Sequence, residues 1–144
     1  MRKTVKKHLL AAALILGSIS GAYAEGVTPA DQTAIQTIIQ NQVDAFLANN
    51  SATAYSYAAP SIKRMFQNDK HFMSMVEQQY QPVFRPQSFA FGRIADKGNG
   101  PVQEVYITGP AGKDWVAVYT LEKQSDGSWK INGCFLQPDT GAKV

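Results

Sequence analysis

Cysteine is almost absent from this chain of 144 residues, in which Cys134 is the only one. A single cysteine cannot form an intrachain disulfide, so the sequence excludes a disulfide-stapled fold and a site built from several thiolates. Cys134 lies in an apolar stretch between Gly133 and Phe135, which supply neither the base nor the positive charge that makes a reactive thiolate. We therefore expect a buried, unreactive thiol.

Histidine is also scarce, with two in the chain and only His71 beyond residue 24. One histidine, one cysteine and scattered acids give no ligand spacing typical of a metal site, so we predict neither a metal nor a cofactor. Basic residues are not clustered, since Lys63-Arg64 is the only adjacent basic pair after residue 24. A nucleic-acid surface needs a clustered basic face. We therefore expect no nucleic-acid partner.

Apolar runs long enough to span a bilayer, about 20 residues, are lacking as well. The apolar run Leu9–Leu16 follows a basic start and precedes Ala22-Tyr23-Ala24, the order typical of a secretory signal peptide. We predict that residues 1–24 are cleaved and that residues 25–144 form one domain in the periplasm or outside the cell. The residue directly after the predicted cleavage site is Glu25 and not a cysteine, so we expect no membrane anchor after cleavage.

Net charge depends on the same segment. The chain carries +3, but four of its 14 basic residues lie in the first seven positions, against 11 acidic residues overall. The predicted mature domain is therefore close to neutral, which permits association with a protein partner or with a second copy.

The first half of the domain shows helical periodicity. Thr28 and Pro29 are typical of a helix start, and Asn49-Asn50 of its end. Gln42 lies near the edge of the apolar face, which makes it a candidate inward-facing polar residue. The apolar face itself consists of Ile35, Ile38, Ile39, Val43, Phe46 and Leu47.

Three shorter helices are predicted after it from capping residues and prolines. Ser51 caps a helix over 52–59, and Pro60 starts another that ends near Asn68. Asp69 caps the next helix. Its apolar face contains Phe72, Met73, Val76 and Tyr80.

After Pro82 the apolar period changes from helical to alternating. Strands are predicted over 88–94, 102–108, 115–122 and 129–137, separated by glycine-rich turns. In the second strand Val105 and Ile107 share one face, while Glu104 and Tyr106 share the other. Helices followed by an antiparallel meander predict an α+β fold, with Trp129 of the last strand in the core.

Three segments carry a resemblance to a known family. These are AYSYAAPSIKRMF, FMSMVEQQYQPVFRP and YTLEKQSDGSWKINGCFL, in that order. The chain resembles a bacterial domain family of unknown function over roughly 34–136, a family associated with the nuclear-transport-factor-2-like superfamily. The resemblance implies N-terminal helices packed on a bent antiparallel sheet of about four strands, which together form a cone. That superfamily includes isomerases, dehydratases, ligand carriers and interaction modules, so the resemblance leaves function open.

A cone lined by aromatic residues suits a small ligand with one polar end. Buried tyrosines need partners for their hydroxyls, and a guanidinium near an apolar mouth can hold a carboxylate. The alternative for Arg85 is an exposed arginine at a strand start. The candidate ligand-binding residues are Gln42, Tyr55, Tyr80, Arg85 and Tyr119.

Acid–base catalysis has weaker candidates. His71 falls on the face opposite Phe72 and is expected to be solvated. Glu104 is mid-strand and pairs with Arg85 or Arg93 if it faces inward, although an exposed position is the default. The chain offers no clear proton-transfer constellation, so we assign no catalytic residue.

We therefore expect a secreted or periplasmic, non-catalytic module that binds a small molecule in its cone or a protein partner on its sheet. One alternative is a cofactor-independent lyase or isomerase of the superfamily type. A second is a structural homodimer packed through the open face of the sheet.

Overall fold

The computed structural model describes residues 24–141. The predicted signal peptide therefore lies outside the described residues, apart from Ala24. Over the described range, five helices precede four strands, which confirms the predicted α+β class. The elements are α1 (Pro29–Leu47), α2 (Ser51–Ser56), α3 (Pro60–Met65), α4 (Asp69–Gln79), α5 (Gln81–Phe84), β1 (Ser88–Asp96), β2 (Pro101–Thr108), β3 (Asp114–Lys123) and β4 (Trp129–Pro138).

Helix α1 begins as predicted. The Thr28 hydroxyl oxygen accepts a hydrogen bond from the Asp31 backbone N–H at 3.1 Å, and Pro29 occupies the first turn. Gln42 is buried on the apolar face, which confirms its predicted orientation. Leu47 was predicted on that face but is 48% exposed, because the helix ends there and the chain turns away from the core.

The caps of the short helices differ from prediction by one residue. Asn50, not Ser51, caps α2, and Asn68, not Asp69, caps α4, each through a side-chain oxygen that accepts from a backbone N–H. The predicted caps instead bond to each other, since the Ser51 hydroxyl donates to the Asp69 carboxylate. This bond joins the starts of α2 and α4.

Helix α2 is also shorter than predicted and ends at Ser56. The following residues pair with the edge of β4, where Ile131 donates to the Tyr57 carbonyl at 2.9 Å and accepts from the Ala59 N–H at 2.8 Å. These hydrogen bonds to the sheet replace those of another helical turn.

Helix α5 was not predicted. It forms a single turn over Gln81–Phe84, in which Pro82 occupies an early position and Val83 and Phe84 are buried. One turn is too short to leave a helical period in the sequence, and the proline resembled the start of the strand region.

The sheet is antiparallel and open, with strand order β1-β2-β3-β4. The predicted faces of β2 are confirmed, because Val105 and Ile107 are buried while Tyr106 is 45% exposed. On the same inner face, Tyr119 of β3 lies directly opposite Cys134 of β4. The helices cover this face, so both side chains point toward the helical layer.

Gln103 fills an irregularity in β1 that the sequence did not indicate. The register of β1 shifts between Phe91 and Ile94, and this shift frees backbone carbonyls from the ladder. The fully buried Gln103 amide donates to the Gly92 carbonyl at 3.1 Å, and its oxygen accepts from Gln36 of α1 at 3.1 Å. The side chain thus ties the bulge to the first helix.

Candidate functional site

A cavity of about 380 Å³ lies between the helices and the inner face of the sheet. Its floor comes from β3 and β4, and its walls from α1, α3, α4 and α5. Most of the lining is apolar. The apolar side chains that define it best are Phe46, Ile62, Phe72, Met75, Val76 and Val83.

The mouth of the cavity lies at the end of α3. Met65 belongs to the lining yet is 69% exposed, and Gln79 at the end of α4 is also exposed. Helix α3 has no fully buried residue and no side-chain hydrogen bond at its N-cap, Ala59. The cavity therefore opens to solvent beside a helix that lies at the surface.

Few polar side chains reach this cavity. Among the described residues its lining has no charged side chain. Three of the five predicted ligand-binding residues are there, namely Gln42, Tyr80 and Tyr119. Gln79 and Cys134 complete the polar lining.

Gln42 is fixed in place by the helix beside it. Its side-chain nitrogen donates to the Ala54 carbonyl of α2 at 3.1 Å, and only 4% of the residue is exposed. This bond places an amide in an otherwise apolar part of the wall.

Tyr80, Tyr119 and Cys134 form a second polar group, which we call the tyrosine–thiol cluster. The Tyr119 hydroxyl is buried and has no hydrogen bond of ordinary geometry among the described residues, although the Cys134 thiol, a weak hydrogen-bonding group, interacts with it. Burial raises the pKa of Tyr119 well above its usual range, and the nearby thiol raises it further. Burial and the same thiol also raise the pKa of Tyr80. Tyr119 and Cys134 are opposite each other in the sheet, and Tyr80 lines the same cavity as both.

Cys134 itself is held as a neutral thiol. Burial raises its pKa to about 12, although the neighbouring Tyr119 hydroxyl acts in the opposite direction. The side chain lines the cavity. Cys134 is therefore half-buried, whereas full burial was expected from the sequence, and its low reactivity stays a prediction.

Residues 28–144 match DUF4864, a domain of unknown function. The chain belongs to the DUF4864 family. This confirms the expected membership of a family of unknown function, over a longer stretch than the 34–136 expected. No curated protein matches the chain.

Tyr55 lies outside the cavity of the DUF4864 domain. Its hydroxyl donates to the carbonyls of Lys63 at 3.2 Å and Phe66 at 3.0 Å, which are orphan carbonyls at the end of α3. Its ring packs against Phe72, with centroids 5.5 Å apart. Because the hydroxyl is already paired, Tyr55 holds α3 in place instead of lining the site.

Arg85 is also elsewhere. Its guanidinium donates to the Phe46 carbonyl at 2.6 Å and the Phe84 carbonyl at 2.8 Å, and it also bonds the Asn49 side chain. It stacks on the Phe84 ring at 3.9 Å from the centroid. Arg85 thus caps the C-terminal end of α1, where a positive charge is favourable.

The acid–base candidates do not reach the cavity. His71 is exposed, as expected, with its ring edge-on to Phe66 at 5.6 Å. Glu104 lies on the outer face of the sheet, 3.6 Å from the Arg93 guanidinium. It therefore pairs with Arg93 and not with Arg85.

Trp129 is not the core residue that the sequence predicted. It is partly buried at the start of β4, where its indole N–H donates to the Asp31 carboxylate at 3.1 Å. The Lys123 ammonium lies 5.5 Å from the indole ring. Trp129 thus joins the last strand to the start of α1 instead of filling the centre.

Two further observations apply to residues 24–141 alone. No three histidine, cysteine, aspartate or glutamate side chains come together there as metal ligands would. No helix in that range is both long and apolar enough to cross a bilayer.

Proposed function

We propose that this protein is a secreted or periplasmic, non-catalytic module that binds a small molecule between its helices and its sheet. The observation that carries the proposal is the cavity of about 380 Å³, which is apolar in most of its lining and is lined in part by Tyr119, a residue whose buried hydroxyl is unpaired among the described residues. Small-molecule sites are typically concave and apolar, with a few polar groups that orient the ligand.

The energetics of the cavity lining support this proposal. Apolar side chains around a solvent-filled space forgo the burial that would stabilise them by about 25 cal/mol per Å². A buried hydroxyl without a partner adds a desolvation cost of about 1–3 kcal/mol. A ligand that fills the space and pairs the hydroxyl removes both costs.

We further propose that the fold is the nuclear-transport-factor-2-like cone. The helices precede the antiparallel four-stranded sheet, and a cavity lies between the two layers. The register shifts in β1 and β4 support a bent sheet, because bulges increase local twist.

Native mass spectrometry of the protein purified from periplasm tests the binding function. We expect a reproducible added mass on the folded monomer that is lost under denaturing conditions. A bare polypeptide mass in every preparation, with no binding of small apolar probes, would contradict the proposal. Recovery from the cytoplasm alone would contradict the proposed location.

A second candidate function is docking of a protein partner or a second copy on the outer face of the sheet. Tyr106 and Phe135 are 45% and 48% exposed there, with Val116 and Val118 between them in the register. Sedimentation of Phe135→Ser against the unchanged protein tests it, with Gln137→Ser on the same face as a matched control. An unchanged mass for both variants and the parent, at the monomer value, would contradict a homodimer.

The lyase or isomerase alternative lacks comparable support. The ionisable groups of the cavity lining among the described residues are Tyr80, Tyr119 and Cys134. The pKa of each is raised, so all three are protonated near neutral pH and none is a ready general base.

A further inference from the structure

We infer that the ligand is a neutral, mostly apolar molecule whose single hydrogen-bond acceptor pairs with the tyrosine–thiol cluster. This inference rests on the proposed binding function. It goes further by excluding anionic and purely hydrocarbon ligands.

The absence of charged side chains among the described residues of the cavity wall supports a neutral ligand. No lysine, arginine or histidine of the described residues belongs to the lining. Arg85, the residue expected to hold a carboxylate, is committed to the end of α1. An anion placed here would lose its hydration without gaining a counter-charge, and that loss is far larger than any single hydrogen bond returns. A neutral ligand avoids it.

The tyrosine hydroxyls support a ligand that carries a hydrogen-bond acceptor. The Gln42 amide already donates to Ala54, and a thiol is only a weak donor. The Tyr119 hydroxyl has no hydrogen bond of ordinary geometry among the described residues, and its oxygen is fully covered. Tyr80 is more exposed than Tyr119, so it is the first donor that a ligand meets. We expect a carbonyl-type acceptor on the ligand to pair with this donor, in the cavity that Tyr119 and Cys134 also line.

The two hydroxyls also argue against a ligand that only donates. A hydroxyl that accepts from a ligand still leaves its own hydrogen unpaired, whereas an acceptor on the ligand satisfies that hydrogen. Buried polar groups in folded proteins are almost always paired, with protein, water or ligand. The unpaired Tyr119 hydroxyl is therefore the feature that selects an acceptor.

Three probes of nearly equal shape test the inference. Acetophenone is neutral and carries a carbonyl acceptor, α-methylstyrene replaces that oxygen by a methylene group, and benzoate is an anion. Binding to the purified protein is measured by NMR titration at neutral pH. We expect acetophenone to bind about five- to tenfold more tightly than α-methylstyrene, the worth of one hydrogen bond, and benzoate to bind most weakly.

Matched tyrosine variants locate the effect. At least one of Tyr80→Phe and Tyr119→Phe should reduce the preference for acetophenone to about twofold or less, because the substitution removes the hydroxyl that donates to the carbonyl and leaves the ring. Tyr55→Phe should retain the full preference, since the Tyr55 hydroxyl is paired outside the cavity. If one cavity variant fails to fold, the other still gives the comparison.

The possible outcomes distinguish failure of the neutral-acceptor inference from failure of the proposed binding function. Equal affinity for acetophenone and α-methylstyrene, or tightest binding by benzoate, would overturn the neutral-acceptor inference while leaving cavity binding intact. A preference that both cavity variants retain would overturn the assignment to the tyrosine–thiol cluster. Failure of all three probes to bind at their solubility limits would contradict the proposed function itself.

Discussion

Tyr55 and Tyr119 provide the sharpest comparison, because the same change, tyrosine to phenylalanine, should affect stability in opposite directions. Tyr55 donates to two backbone carbonyls, at 3.2 and 3.0 Å. Tyr119 is only 1% exposed, and its hydroxyl has no hydrogen bond of ordinary geometry among the described residues. In both cases the ring remains, so the hydroxyl alone is tested.

Removal of the Tyr55 hydroxyl should lower the free energy of unfolding by about 1–2 kcal/mol, because it breaks hydrogen bonds and leaves carbonyls at the end of α3 unpaired. Removal of the Tyr119 hydroxyl should leave that free energy unchanged or raise it by about 1 kcal/mol. The deleted group is paired only in the unfolded chain, and its burial costs about 1–3 kcal/mol. Entry of water into the cavity reduces this gain.

Urea denaturation followed by tryptophan fluorescence measures both differences, with Trp115 and Trp129 as the reporters. The slope with urea should be the same in all three proteins, so that the midpoints can be compared. A loss of 1 kcal/mol or more for Tyr119→Phe, with no loss for Tyr55→Phe, would refute the assignment of the unpaired hydroxyl. The site would then lose the feature that selects its ligand.

Three other substitutions or treatments have defined outcomes. Arg85→Ala should lower the free energy of unfolding by about 2 kcal/mol, because it removes charge-assisted hydrogen bonds at the end of α1. It should leave probe binding unchanged, and weaker probe binding by the folded variant in urea-free buffer would contradict a role limited to capping α1. The indole of Trp129 holds the pKa of Asp31 below its ordinary value of 3.8, so this contribution is present above that pH and is lost as the pH falls through the lower folded pKa. Trp129→Phe should therefore show a smaller loss of stability on acidification, and an acid unfolding curve identical to that of the parent would contradict this. Cys134, with its pKa of about 12, should react with iodoacetamide much more slowly at neutral pH in the native protein than in urea; equal labelling rates by mass spectrometry would show an accessible thiolate.

Much of the fold could be predicted because its signals are local. Thr28 and Pro29 mark the start of α1 through hydrogen bonding and backbone geometry within a single turn. The alternation of Val105 and Ile107 with Glu104 reports which face of β2 is covered. Each of these patterns depends on neighbours in sequence, so the strand positions needed only small extensions.

The errors arise where distant segments meet. Tyr55 and Arg85 are residue types that often bind ligands, but here the Tyr55 hydroxyl and the Arg85 guanidinium donate to backbone carbonyls at the ends of α3 and α1. Those orphan carbonyls become visible only when the helices are placed. Gln103 similarly has a role only because a bulge in β1 frees a carbonyl beside it. The chemistry of a single residue does not predict such contacts between distant segments.

The candidate site could be predicted only in part. Gln42 could be found, because it lies on the edge of an apolar helical face. Tyr119 could be placed on an inner strand face by alternation, but its lack of a partner depends on Cys134 across the sheet and on the helices above. Sequence therefore indicated which residues point inward, and packing decided which of them remain available to a ligand.

A crystal structure of the protein purified from periplasm, without added ligand, tests the central claim most directly. The account predicts continuous density in the cavity for a compact molecule with one acceptor beside the hydroxyls of Tyr80 and Tyr119. A cavity closed by its own side chains, with the Tyr119 hydroxyl paired to protein, would contradict it.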